Sequence, residues 1–337
     1  MRSKTLVLFA VLLFIPLFAL GASGYGSDYR QDSMGFTGAS VSGNRGSNFR
    51  NPASLFFHDG SDSFTFDFGF WDTYNDSIDV PFPFLPGGDL RARYAGTNVS
   101  VGVVLETMLE DRDESENGGR YYNSDHVLTV DACFAVGWKY FSAGLGISAG
   151  AVWSRDNLFI KDDNRFIDLF LNMVAENYTR ISGYESVNIR TGFQVNYENY
   201  TFGFLMPSVF RYFSSEIYFN FLDMLKQSHL GFSYRGNRYA GRARLQTLVL
   251  DGAVEVHNIG YETRTLNAGV ELTLQIMSDH SVSLRAGYEA PFTDLGNAII
   301  TVGLGSVLRN VNINIISEWN IGDYRYIKYG VTAGMLL

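Results

Sequence analysis

Gly146-Ile147-Ser148-Ala149-Gly150 spells the G-x-S-x-G arrangement with which serine hydrolases present a nucleophile. That chemistry needs the serine on a sharp strand-to-helix turn, with a histidine and an acid beside it. Here the motif lies inside an alternating run, 143–151, with its Gly and Ser residues on one phase. Small residues lining a crowded interior account for it. The five histidines, at 58, 126, 229, 257 and 280, are scattered, and none has a metal-ligand spacing such as H-E-x-x-H. A serine and a histidine on neighbouring strands would still make a membrane-embedded lipase, which ester substrates would reveal. Residues 110–118 form an acidic stretch, read as a long external loop. Its oxygens suit a divalent cation, but the sixth position counted from Asp111 is Glu116, where an EF-hand loop needs Gly. Cys133 is the lone cysteine. It has no partner within the chain and reads as a small apolar filler. No cofactor and no resident metal are expected, and no enzymatic activity.

The remaining charged residues share a pattern. Arg91, Arg93, Asp131, Arg190, Arg235, Arg242, Arg244, Glu271 and Arg285 fall on the polar phase of runs whose other phase is apolar. An Arg facing lipid at mid-membrane depth costs about 2–4 kcal/mol. These side chains are therefore expected to point inward. There they either form a network of ion pairs or line a polar route.

The elements that position them are strands of period two. Phe64, Phe66, Phe68 and Phe70 alternate with Thr65, Asp67 and Gly69. Leu128, Val130, Ala132, Phe134, Val136 and Trp138 alternate with Thr129, Asp131 and Cys133. About fourteen such segments run to the C-terminus, several of 9 residues or more, the length a tilted membrane strand needs. Short turns are expected near Gly96-Thr97, Tyr140, Glu198-Asn199, Gly236-Asn237, Ser278-Asp279 and Arg309-Asn310. Longer connections are expected near 72–88, 106–125, 156–180, 212–227, 251–262, 289–296 and 320–325. The two kinds alternate. The pattern predicts an all-β fold: a transmembrane antiparallel barrel with both termini in the periplasm and its long loops outside.

Composition agrees. The chain has 337 residues, 15% aromatic and 18% charged, with 35 Gly, 20 Tyr and 27 Phe. Soluble domains carry about 25% charged residues. Residues 1–21 read as a secretion signal, with Arg2 and Lys4 before an apolar stretch. That stretch is short for a spanning helix and holds Pro16. Residues 22–62 are rich in Gly, Ser and Asn and do not alternate; 63–337 form the barrel. The formal charge of −9 excludes nucleic acid as a partner, since phosphate binding needs clustered Lys and Arg. The expected setting is the outer membrane of a Gram-negative-type bacterium, with lipid around a monomeric barrel.

Two of the long connections are apolar. Residues 163–177 carry Phe166, Phe170 and Met173 at helix-like spacing, and 213–225 carry Phe219, Phe221 and Leu222. External loops are normally polar, and exposed apolar patches mark binding sites or interfaces. They offer a capture site for hydrophobic small molecules.

The N-terminal segment then becomes specific. It holds Gly35-Phe36-Thr37-Gly38-Ala39 and, before the first strand, Arg50-Asn51-Pro52-Ala53. This resembles the outer-membrane long-chain fatty-acid transporter family, the FadL type. The resemblance implies a fourteen-stranded barrel and an N-terminal hatch inside the lumen, formed by 22–62 with Gly35, Gly38, Asn51, Pro52 and Ala53. It also implies capture of apolar substrate by the third and fourth external loops, and a lateral gap in the wall. The two apolar connections follow the fifth and seventh strands, so they are the third and fourth loops. Related barrels act in protein secretion, so a structural or interaction role, as shuttle or surface antigen, is the alternative.

Overall fold

The computed structural model describes residues 34, 37–40, 50–57, 63–75, 84–96, 98–116, 119–161, 184–213, 216–218, 221–239, 247–261, 264–277, 279–295, 297–322 and 326–336. Its strands are β1 Ser63–Asn75, β2 Phe84–Ala95, β3 Val99–Glu116, β4 Gly119–Trp138 and β5 Phe141–Lys161. They continue as β6 Tyr184–Tyr197, β7 Tyr200–Phe213, β8 Glu216–Tyr218, β9 His229–Tyr239 and β10 Thr247–His257. The last are β11 Thr265–Met277, β12 His280–Pro291, β13 Ile299–Leu308, β14 Val311–Asn320 and β15 Tyr326–Leu336. A 3-10 helix covers Pro52–Phe57 and an α-helix, α1, covers Phe221–Lys226.

Each wall strand is antiparallel to its neighbours. β1 pairs with both β2 and β15, and β6 pairs with β7, so the ring closes. β8 is a three-residue flap on the far end of β7. Removing it from the fifteen-stranded sheet leaves fourteen strands in the wall. Closure matters because hydrocarbon offers no hydrogen-bond partner to a free strand edge.

The alternation read from the sequence is the alternation of the wall. Phe134 and Val136 face out at 51% and 52% exposure, while Thr129 and Cys133 on the other phase are buried. Strand β11 behaves alike: Val270 and Leu272 are exposed, and Asn267 and Glu271 are buried. At the rim of the short turns, aromatic rings form a girdle. Tyr140 packs on Tyr197 at 5.8 Å, and Tyr200 on Tyr234 at 5.3 Å between ring centroids. Trp138 stands beside them, exposed. Such rings belong at the membrane interface.

Three expectations are corrected. The short turn at Gly236-Asn237 is a strand: both residues lie in β9 and pair with Leu250 and Val249. Gly236 has no side chain there because the Tyr234 ring occupies the space. The connection expected at 251–262 begins later, because 251–257 belong to β10 and the chain turns at Asn258, whose φ is 54°. The long loop at 106–125 is mostly ladder. β3 and β4 pair from Val99–Phe134 out to Glu116–Gly119, so the acidic residues 110–116 stand on an extended ribbon rather than in a ligand loop.

The lipid face yields a test. Leu272 faces outward and Thr273 inward on the same strand. Leu272→Arg should lower stability by about 2–4 kcal/mol, and Thr273→Arg by about 1 kcal/mol or less. Reversible denaturant unfolding in lipid vesicles measures both.

Candidate functional site

The lumen is built from the inward phase of the strands, and its charges pair across the wall. Asp131 on β4 and Arg190 on β6 make a two-point ion pair, with Nη1 to Oδ1 at 2.6 Å and Nη2 to Oδ2 at 2.9 Å. The Arg190 guanidinium also reaches the Cys133 Sγ at 3.0 Å. Between them runs β5, where Gly146 leaves the room that the guanidinium fills. The first glycine of the G-x-S-x-G motif thus seats an arginine in a strand interior. No nucleophile turn is formed there.

A second cluster stands on the opposite wall. Glu271 of β11 accepts from Arg285 Nε at 2.9 Å, and Arg285 Nη1 donates to Asn314 on β14 at 2.9 Å. Gly305 on β13 lets Arg285 pass over the intervening strand. Asn314 in turn donates to Thr332 Oγ1 at 3.3 Å. Arg91 pairs with Asp89, and Arg235 with Asp251 at 3.5 Å. Arg235, Asp251, Glu271, Arg285, Ser283 and Asn314 border a cavity of about 190 Å³ near the short-turn end of the barrel. Of the polar residues expected in the lumen, Arg91, Arg93, Asp131, Arg190, Glu271 and Arg285 are there, at least half-buried on the inward phase. Arg242 and Arg244 lie outside the described residues.

Across the lumen runs the N-terminal segment. Gly38, Asn51, Pro52 and Ala53 are all buried, while Gly35 lies outside the described residues. Asn51 carries one attachment. Its Nδ2 donates to Ala39 O at 2.7 Å and reaches the wall carbonyls of Phe204 at 3.2 Å and Phe193 at 3.3 Å. Its Oδ1 accepts from the Ala53 N–H at 3.0 Å. Ser142 Oγ donates to Ala53 O at 2.9 Å. Leu55 then packs on Ala95, Cys133 and Ala135, with Phe56 beside them. A proline after Asn51 opens the 3-10 helix with its φ already set.

Wall glycines cradle this segment. A side chain at Gly144 would strike Pro52 and Ala53; at Gly192, Asn51; at Gly203, Ala39; at Gly269, Met34. The high glycine content is therefore partly the imprint of an object inside the barrel. A second attachment lies on β10. Glu255 accepts from the backbone N–H groups of Gly38, Ala39 and Ser40 at 2.9, 3.0 and 2.9 Å. Glu255 is not among the residues that sequence reasoning singles out. A signal is present all the same: Asp251, Glu255 and His257 share one phase of a run whose composition suggests a loop.

Among the described strands of the wall, β7 and β9 share the shortest ladder. β9 pairs with β7 only from Tyr234–Tyr200 to His229–Leu205. On the other edge of β7, Thr191 of β6 pairs with Met206 while Ile189 pairs with Phe210, so 207–209 bulge opposite Arg190. Pro207 sits in that bulge and lacks an N–H for the ladder. Helix α1 follows, against β7. Its Phe221 and Leu222 are exposed at 57% and 67%, while Met224 turns inward and is buried. Phe166, Phe170, Met173 and Phe219 lie outside the described residues.

Fold and site together define a transmembrane β-barrel of the outer-membrane type with a segment of its own chain in the lumen. No protein-family model and no curated protein matches the chain. Several solved structures do resemble it. A TodX deletion mutant, described as a monoaromatic hydrocarbon channel, has a TM-score of 0.52 at 12% identity, over 92% of this chain and 98% of its own. CymD, also a monoaromatic hydrocarbon channel, has a TM-score of 0.50 at 11% identity over 92% and 96%. The Ralstonia pickettii toluene transporter TbuX has a TM-score of 0.50 at 11% identity over 92% and 97%. The chain has the fold of these FadL-type outer-membrane barrels.

The Asp131–Arg190 pair gives a second test. Arg190→Met leaves a largely buried carboxylate without its arginine and should cost about 3 kcal/mol. Adding Asp131→Asn should restore a large part of that loss. Unfolding free energies of the single and double variants decide it.

Proposed function

We propose that the chain is an outer-membrane channel for hydrophobic compounds, long-chain fatty acids among them. The observation that carries this reading is helix α1. It presents Phe221 and Leu222 to the outside at the point where the β7–β9 ladder stops. A water-filled pore gives an acyl chain no favourable path, whereas an apolar surface contributes about 0.8 kcal/mol for each buried CH₂. Phe166, Phe170 and Met173 of the apolar stretch 163–177, which lies outside the described residues, are assigned to the same capture role. The Arg- and Glu-lined floor of the barrel disfavours passage of a bare hydrocarbon along the axis. The seam beside Pro207 gives such a molecule a way into the bilayer. Residues 22–62 act as the hatch, and the barrel works as a monomer. The resembling structures, hydrocarbon channels and a toluene transporter, fit this class of substrate.

The test is entry of radiolabelled oleate and toluene into cells that lack other carriers. The protein should raise entry of at least one. Replacing Phe221 and Leu222 by Asp should cut that gain by about tenfold or more, since two large apolar contacts are lost. Entry that is unchanged by Phe170→Asp together with Phe221→Asp would contradict the reading.

A further inference from the structure

The two attachments of the lumenal segment differ in kind. At Asn51–Leu55 the segment is held by neutral hydrogen bonds to wall carbonyls and by apolar packing. At Gly38–Ser40 the carbonyls accept neutral bonds from Asn51 and Gln194, at Ala39 O, and from Ser233, at Ser40 O, while all three backbone N–H groups are held by one carboxylate. Glu255 Oε2 accepts from Gly38 N, Ala39 N and His257 Nε2, the last at 3.1 Å. Glu255 Oε1 accepts from Ser40 N and from Ser40 Oγ at 3.0 Å. Three consecutive backbone N–H groups converging on one anion form a nest. The residue is 1% exposed, so every one of these bonds acts in a medium where losing it is costly.

The carboxylate is also joined to the outer rim. The His257 ring stacks on His229 with centroids 3.9 Å apart and planes 14° apart. His229 opens β9 shortly after α1 ends at Lys226. Helix α1 is tied to the β10–β11 turn, since Gly260 N donates to Lys226 O at 3.0 Å and Ile259 N to Ser228 O at 3.1 Å. An unbroken set of contacts thus runs from the apolar helix through His229 and His257 to Glu255 and the segment.

We propose that Glu255 is the releasable latch of the hatch, and that the His229–His257 stack ties the latch to helix α1. This deepens the channel reading and rests on it. The 3-10 helix packed at Leu55 is the fixed anchor, and 38–40 is the part that moves, its release from Glu255 leaving only the neutral bonds from Asn51, Gln194 and Ser233 to break. Displacement of α1 shifts His229, His257 loses its place on the carboxylate, and the nest lets go.

Glu255→Gln tests the latch with almost no change of shape. An amide must turn its NH₂ toward either Ser40 N–H or the Gly38 and Ala39 N–H groups, setting donor against donor. Salt conductance of the purified barrel in planar bilayers, with no apolar solute present, reads the outcome independently of any transported substrate. Heat-modifiable electrophoretic mobility confirms the fold. Glu255→Gln should raise the open fraction by about tenfold or more. Should that variant fail to fold, Ser40→Ala with His257→Asn removes the two side-chain donors to the carboxylate and should raise it less. An open fraction unchanged in the folded variant overturns the latch. His229→Ala should raise the open fraction in the wild-type background and add nothing in Glu255→Gln. Additive effects would overturn the tie.

Discussion

Closure of the strand ladder is the constraint on which everything else depends. Hydrocarbon cannot hydrogen-bond a backbone, so every strand must find both neighbours. Once the ring closes, each residue faces either lipid or lumen, with no third choice. Arg93, Arg190, Glu255, Glu271 and Arg285 therefore converge in one confined space. Arg190 is satisfied there by Asp131, Arg285 by Glu271 and Asn314, and Glu255 by the chain segment itself. The interior is polar because the exterior cannot be.

The same geometry explains the glycines. A fourteen-stranded ring is wide enough to hold more than its own side chains, and this one holds Met34, 37–40 and 50–57 of its own sequence. At Gly144, Gly192, Gly203 and Gly269 that segment comes so close that no Cβ fits. Gly146 and Gly305 play a different part, leaving room for Arg190 and Arg285 to cross a strand. Packing and electrostatics are therefore coupled: the long side chains reach their partners only where the wall has been thinned.

Much of this is legible in the sequence. Period-two alternation carries the strand and its faces, and it places Phe134, Cys133, Leu272 and Glu271 on the correct sides. The turn at Glu198-Asn199 is readable too, and Glu198 takes a φ of 52° there. Where the sequence misleads, the reason is physical. Gly236-Asn237 has turn composition, yet its glycine exists to admit the Tyr234 ring, a contact between residues on one strand face that no local rule reports. Asp251 and Gly252 suggest a loop, which breaks the run of β10 and hides Glu255. The carboxylate matters only because Ser40 folds back across 215 positions of sequence to meet it. The acidic stretch 110–116 reads as a loop by charge alone, although strands that leave the membrane are free to be charged. Asn51, Pro52 and Ala53 stand out through resemblance, and the structure supplies the hydrogen bonds and packing they make in the lumen.

The central claim is that the apolar helix and the plugged lumen serve a hydrophobic small molecule. Native mass spectrometry of the barrel, extracted in mild detergent and desolvated gently, addresses it most directly. The account predicts bound species of acyl-chain or hydrocarbon mass at roughly stoichiometric occupancy, depleted when Phe221 and Leu222 are replaced by Asp. A barrel that flies free of such adducts and instead retains a stoichiometric protein partner would contradict it.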